Sequence, residues 1–149
     1  MTEFRRIAPD ITVSGQIGEA DVKKAAREGA RLIVCNRPDG EEPGQPDAAS
    51  VARWAAAEGL GFAHIPIVPG AGIPGDAVAS MRDALAKAGG PVHAYCKAGG
   101  RAAAMWALAA AADGRHPVAD ILARCRKAGF DLSTLEPMLR ALAADTEQG

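Results

Sequence analysis

The densest chemistry in the sequence is the segment Cys96-Lys97-Ala98-Gly99-Gly100-Arg101. It follows a short apolar run, Pro91-Val92-His93-Ala94-Tyr95, that reads as a strand, and it opens an alanine-rich stretch that reads as a helix. Gly99 and Gly100 let successive backbone N–H groups converge into a concave nest for an anion. A helix beginning near Arg101 aims its positive end and its unpaired N–H groups at the same point. Cys96 at the rim is then favoured as a thiolate, the attacking form of the side chain. Arg101 can fold back and offer a planar fork to an oxyanion. The spacing therefore points to Cys96 and Arg101 as catalytic groups, with Lys97, Ala98, Gly99 and Gly100 binding substrate. The competing reading is an inert packed cysteine beside a Gly-Gly turn and a surface arginine. The agreement of the whole loop on one purpose favours the reactive site.

These residues need a scaffold, and the rest of the chain supplies one. Short apolar segments alternate with amphipathic ones. Strands are expected at 4–7, 11–14, 31–36, 61–66 and 91–95, and helices at 19–28, 46–58, 76–87, 102–112, 117–128 and 135–144. Alternation of this kind implies β-α-β crossovers and a single three-layer α/β domain over residues 1–149, its central, mostly parallel sheet flanked by helices. Of the apolar residues 34 are alanine and only six are aromatic, which suits helices packed closely on a sheet. In such sheets ligands bind beyond the carboxyl ends of the strands. The loops after Asn36, Pro66 and Tyr95 are therefore the candidate site loops.

Composition narrows the function classes. Seventeen basic against eighteen acidic residues leave a net charge of −1, which argues for neither nucleic acid nor an anionic membrane surface as partner. No stretch approaches the ~20 apolar residues of a membrane span, and the first residues lack the apolar run of a signal peptide. Three widely spaced cysteines make no disulfide framework, so a cytoplasmic protein with reduced thiols is expected. His64, His93 and His116 are too irregularly spaced for a zinc site. No dinucleotide fingerprint or phosphate-binding Walker loop appears, so neither metal nor organic cofactor is expected. Arg37 opens a loop at the same sheet edge as Cys96, where it binds an anion or simply faces water. Cys35 reads as packing, or as a resolving thiol if it reaches Cys96.

The segments Asn36-Arg-Pro-Asp-Gly-Glu-Glu-Pro-Gly-Gln-Pro46, His64-Ile-Pro-Ile67 and Tyr95-Cys-Lys-Ala-Gly-Gly-Arg101 resemble the bacterial beta-lactamase hydrolase-like protein, phosphatase-like domain family. The similarity extends over essentially the whole chain. It implies a cysteine-phosphatase-like α/β fold, related to the tyrosine-phosphatase and rhodanese groups. Some members carry the domain fused to a metallo-β-lactamase-fold partner linked to persulfide metabolism, a partner absent from these 149 residues.

Within that resemblance the departures matter. Tyrosine and dual-specificity phosphatases have five residues between cysteine and arginine, whereas this loop has four, as rhodanese-type sulfurtransferases typically do. The hydroxyl residue that commonly follows the arginine is replaced by Ala102, and the histidine often found before the cysteine by Tyr95. Where dual-specificity enzymes carry an acidic residue after a segment like 65–67, this chain has Val68-Pro69-Gly70. A phosphatase needs an acid for its leaving oxygen, and the candidates are Asp39 and Asp76, with Glu41 and Glu42 nearby. Asp39 also reads as a turn residue and Asp76 as a helix N-cap. Sulfur transfer needs no such acid: a thiolate takes a sulfane sulfur and passes it to an acceptor thiol. The expectation is therefore a persulfide-forming sulfurtransferase acting on a small anionic or sulfane-sulfur substrate. A phosphatase is the first alternative and a non-catalytic oxyanion-binding module the second.

Overall fold

The computed structural model describes residues 2–148, with side chains described as far as residue 145. Two four-residue strands, β3 (Leu32–Cys35) and β5 (Val92–Tyr95), are buried along their whole length. A strand covered on both faces belongs in the middle of a sheet, and β5 is the central strand of five in the order β1-β2-β5-β3-β4. The edges are β1 (Arg5–Ala8) and β4 (Gly61–His64). β1 forms an antiparallel hairpin with β2 (Ile11–Ser14), and every other pairing is parallel. Parallel pairing sends the carboxyl ends of β2, β3, β4 and β5 to one edge of the sheet.

Side chains alternate across the sheet with period two. Val92, Ala94 and Cys96 enter one core with Leu32 and Val34, while Tyr95 enters the other with Ile33 and Cys35. The smaller core is closed by α1 (Glu19–Arg27) and α2 (Ala48–Ala57). The larger is closed by α3 (Ala77–Lys87), α4 (Gly100–Asp113), α5 (Val118–Lys127) and α6 (Glu136–Gln148). α4 is buried nearly all round, as expected of a helix that is apolar on every face. Its small alanine side chains let it lie close against both the sheet and its neighbouring helices.

The architecture is the expected α/β domain with helices on both faces of a mostly parallel sheet. The helix after the cysteine loop begins two residues earlier than expected, at Gly100, and the last helix continues to Gln148. Residues Ser133–Leu135 form a separate 3-10 turn. Among the described residues no helix is long and apolar enough to cross a membrane.

Candidate active site

Cys96 is the first residue beyond the central strand. Its N–H donates to the Ser14 carbonyl at 3.3 Å, which continues the β2–β5 ladder one step past the strand end. The chain then turns back at Gly99, whose φ of 101° is open to glycine at little cost. A Cβ there would lie 2.9 Å from the Phe130 ring, so two independent constraints keep the position small. The Gly99 N–H donates to Cys96 Sγ at 3.1 Å. The Lys97 carbonyl points outward and accepts from the Gln16 N–H at 3.3 Å. Across a trans peptide the Ala98 N–H must point the other way, into the loop. The Gly99 carbonyl accepts from Ala103 along α4, so the Gly100 N–H likewise faces out of the helix end. The Gly99 amide is thus turned onto the Cys96 sulfur at the positive end of a helix.

Arg101, in the first turn of α4, is held by the loops after β3 and β4. Its Nη1 donates to Glu41 Oε2 and to the Ile67 carbonyl, both at 2.8 Å, and its Nη2 donates to Glu41 Oε1 at 3.0 Å. A guanidinium has five N–H donors. The Nε–H and the second Nη2–H, which share the opposite edge, have no partner among the described residues. That edge is the fork an oxyanion would take. The hydrogen-bonded Arg101 guanidinium, followed by that of Arg37, holds the Glu41 carboxyl below the usual carboxylate range. Glu41 is therefore an ionised clamp.

Arg37 is at the expected sheet edge but not in the nest. It is wholly buried, with Nε on Glu41 Oε1 at 2.7 Å, Nη2 on Glu42 Oε1 at 3.0 Å and Nη1 on Gln16 Oε1 at 2.9 Å. The expectation that it binds substrate is corrected to a supporting position behind Glu41. Lys97 is exposed at the rim, 3.8 Å from Glu42. Of the two candidate acids, Asp39 accepts the Ala48 N–H at 2.8 Å and so serves the start of α2. Asp76 occupies the cap position of α3, but with helical φ and ψ of −90° and −8° its carboxylate makes no capping hydrogen bond. An extended backbone is what normally lets a cap side chain reach back to the first turn.

Cys35 faces the sheet side opposite Cys96, so the resolving-thiol reading has no geometric support. Burial raises the Cys35 pKa and pushes that of Cys125 up to about 12, which keeps both as thiols at neutral pH. Tyr95 likewise points away from Cys96, into the smaller core. Its buried hydroxyl lies beside the Cys35 thiol and Gln16, and the Asn36 Oδ1 is buried without a hydrogen-bond partner among the described residues. No group of three or more His, Cys, Asp or Glu that could hold a metal occurs among the described residues. Sequence reasoning missed Gln16 and the clamping role of Glu41. The available signal was Gly15-Gln16, placed just past a strand end on the same edge as the cysteine loop.

Residues 3–113 match the family described as beta-lactamase hydrolase-like protein, phosphatase-like domain. A beta-lactamase hydrolase-like protein of Agrobacterium fabrum is 39% identical over 127 residues, which is 85% of this chain and 29% of that protein. The chain thus spans about three tenths of this relative's length. A phosphatase candidate from Neisseria meningitidis, solved by crystallography, is 34% identical with a TM-score of 0.78, and the match covers 93% of this chain and 96% of that one. PTPMT1 in complex with PI(5)P shares the fold at 16% identity and a TM-score of 0.74, over 97% of each chain. Cysteine-based, phosphatase-like hydrolase chemistry is the coarse function that these relationships carry. The chain belongs to the beta-lactamase hydrolase-like protein, phosphatase-like domain family.

Proposed function

We propose that this domain hydrolyses a small anionic phosphate monoester through a cysteinyl-phosphate on Cys96. The observation that carries the reading is the free edge of Arg101, clamped by Glu41 and the Ile67 carbonyl on the same loop whose Gly99 amide donates to the Cys96 sulfur. Two N–H groups on one edge of a guanidinium match two oxygens of a phosphoryl group. The sulfur attacks phosphorus, the S–P bond forms and the P–O bond to the leaving group breaks. Water then attacks phosphorus and releases phosphate and the thiolate. The amides and guanidinium act where charge gathers on the equatorial oxygens. The persulfide expectation, drawn from the four-residue loop, gives way because the family description and the Neisseria meningitidis structure are both phosphatase-like, which supports phosphate.

Asp76 is the acid in this reading. Glu41 is ionised between two arginines, Glu42 is paired with Arg37 and Lys97, and Asp39 is committed to α2. Asp76 stands at the same sheet edge with its carboxylate uncommitted, at the end of the loop that begins at Ile67 beside Arg101. The test is phosphate release from p-nitrophenyl and phenyl phosphate by wild type, Cys96→Ser and Asp76→Asn. Cys96→Ser should abolish both, and Asp76→Asn should slow the phenyl ester more, because its leaving group needs the proton. Release that survives Cys96→Ser refutes the reading. A Cys96-dependent sulfur adduct from thiosulfate, without phosphate release, would restore sulfur transfer.

A further inference from the structure

A closed ring of hydrogen bonds begins and ends on the cysteine loop, and it passes through a residue outside every candidate site loop. The Lys97 carbonyl accepts from the Gln16 backbone N–H at 3.3 Å. The Gln16 Oε1 accepts from Arg37 Nη1 at 2.9 Å. Arg37 Nε donates to Glu41 at 2.7 Å, and Glu41 takes Arg101 through two oxygens at 2.8 and 3.0 Å. Gln16 is the one member that touches both the amide side and the guanidinium side of the nest. It lies on the turn between β2 and α1, where its own side-chain Nε2 is tied to the Ile17 carbonyl and its backbone carbonyl accepts from Thr2 Oγ1. The preceding Gly15 permits this approach, since a Cβ there would stand 2.8 Å from the Lys97 oxygen.

We infer that Gln16 is a positioning residue that sets the Arg101 fork against the backbone amides, acting through Arg37 and Glu41. This rests on the phosphatase reading for its catalytic meaning, although the geometry bears on oxyanion binding directly. Arg37 is buried with both carboxylates at its Nε and Nη2, so Gln16 fixes its third direction. Loss of that acceptor lets the Arg37 guanidinium swing and carries Glu41 with it. The backbone half of the ring is independent of the side chain, so a Gln16 substitution loosens the guanidinium and leaves the nest amides in place.

The experiment is a double-mutant cycle on tungstate affinity, measured by titration calorimetry on the whole chain. The proteins are wild type, Gln16→Leu, Arg101→Ala and the double variant. Gln16→Leu should weaken tungstate about tenfold, the scale of one hydrogen bond to a charged group. The double variant should bind no more weakly than Arg101→Ala, because Gln16 acts only through the guanidinium. Gln16→Glu, which keeps an acceptor for Arg37, should stay within about threefold of wild type. Equal weakening in both Arg101 backgrounds, or no weakening by Gln16→Leu, overturns the inference. If the leucine variant fails to fold, Gln16→Met carries the same cycle. Phosphate release plays no part in this readout, so failure of the phosphatase reading shows separately as tungstate binding without turnover.

Discussion

Replacing Glu41 by glutamine keeps the shape of the clamp and removes its charge. The carboxylate accepts three hydrogen bonds from two guanidiniums, and its side chain is only 16% exposed, with Arg101 at 18% and Arg37 at 0%. A hydrogen bond to a charged group is worth roughly 1.5–3 kcal/mol. The substituted amide can still accept with its one oxygen, but its nitrogen then faces a guanidinium donor. Glu42 remains to hold Arg37, which limits the loss. The net expectation is a destabilisation of about 2 kcal/mol at neutral pH, below the full cost of breaking a buried pair. The sign of the pH dependence follows from the direction of the shift. Arg101 and Arg37 depress the folded-state value of Glu41, so the clamp's contribution is complete above the unfolded carboxylate value and is lost as pH falls through the folded one. Urea unfolding followed by the fluorescence of Trp54 and Trp106 should show the wild-type advantage at pH 7 and a shrinking gap below about pH 4. Phosphate release should also fall at least tenfold, because an unclamped Arg101 no longer presents one edge to the nest. A variant within about 0.5 kcal/mol and twofold of wild type would refute the assignment of Glu41 as a clamp.

Three further substitutions probe the loop and the frame under it. His93 is fully buried on β5, 2.7 Å from Thr12 Oγ1 and 2.8 Å from Ser14 Oγ, and burial pushes its pKa down to about 3. Between 6.5 and that value the unfolded chain binds a proton that the folded chain refuses, so stability falls as pH drops. The slope is about 1.4 kcal/mol per unit, or about 2 kcal/mol between about pH 6.5 and 5. His93→Gln should remove most of that slope in chemical denaturation, and an unchanged slope would count against a neutral buried imidazole. Gly99→Ala forces a side chain into a φ of 101° and against Phe130, and should cost about 2 kcal/mol or more along with all phosphate release. Gly100→Ala meets nothing within 4 Å and should leave stability unchanged within about 0.5 kcal/mol, so equal effects at the two glycines would contradict the loop geometry.

The cysteine loop was legible because its chemistry and its structural punctuation lie within six consecutive residues. Strand end, glycine turn and helix start each leave a local signal, and the nest follows from all three. The convergence of three loops was also legible: Arg37 and Glu41 come from the loop after β3, the Ile67 carbonyl from the loop after β4, and Cys96 and Arg101 from the loop after β5. Gln16 was not, because its part depends on β2 lying beside β5, and sheet order leaves no mark on a four-residue strand. Residue type alone could not sort Asp39, Glu41 and Glu42 into a helix partner and two arginine partners, since loop conformation decides where each carboxylate points. Asp76 takes the N-cap position expected of it, and only its side-chain cap bond is missing. Its backbone is already helical, so the cap bond that its residue type favours is geometrically unavailable. The spacing of four between cysteine and arginine suggested sulfur chemistry, yet the nest amides and the free guanidinium edge form within that spacing.

In the phosphatase reading, Cys96 becomes covalently phosphorylated during turnover. Intact mass of protein quenched in acid while hydrolysing p-nitrophenyl phosphate, followed by peptide mapping, tests it directly. The expected result is an adduct of one phosphoryl group on the peptide that contains Cys96, absent from Cys96→Ser. Phosphate release with no such adduct, or an adduct on another residue, would contradict it.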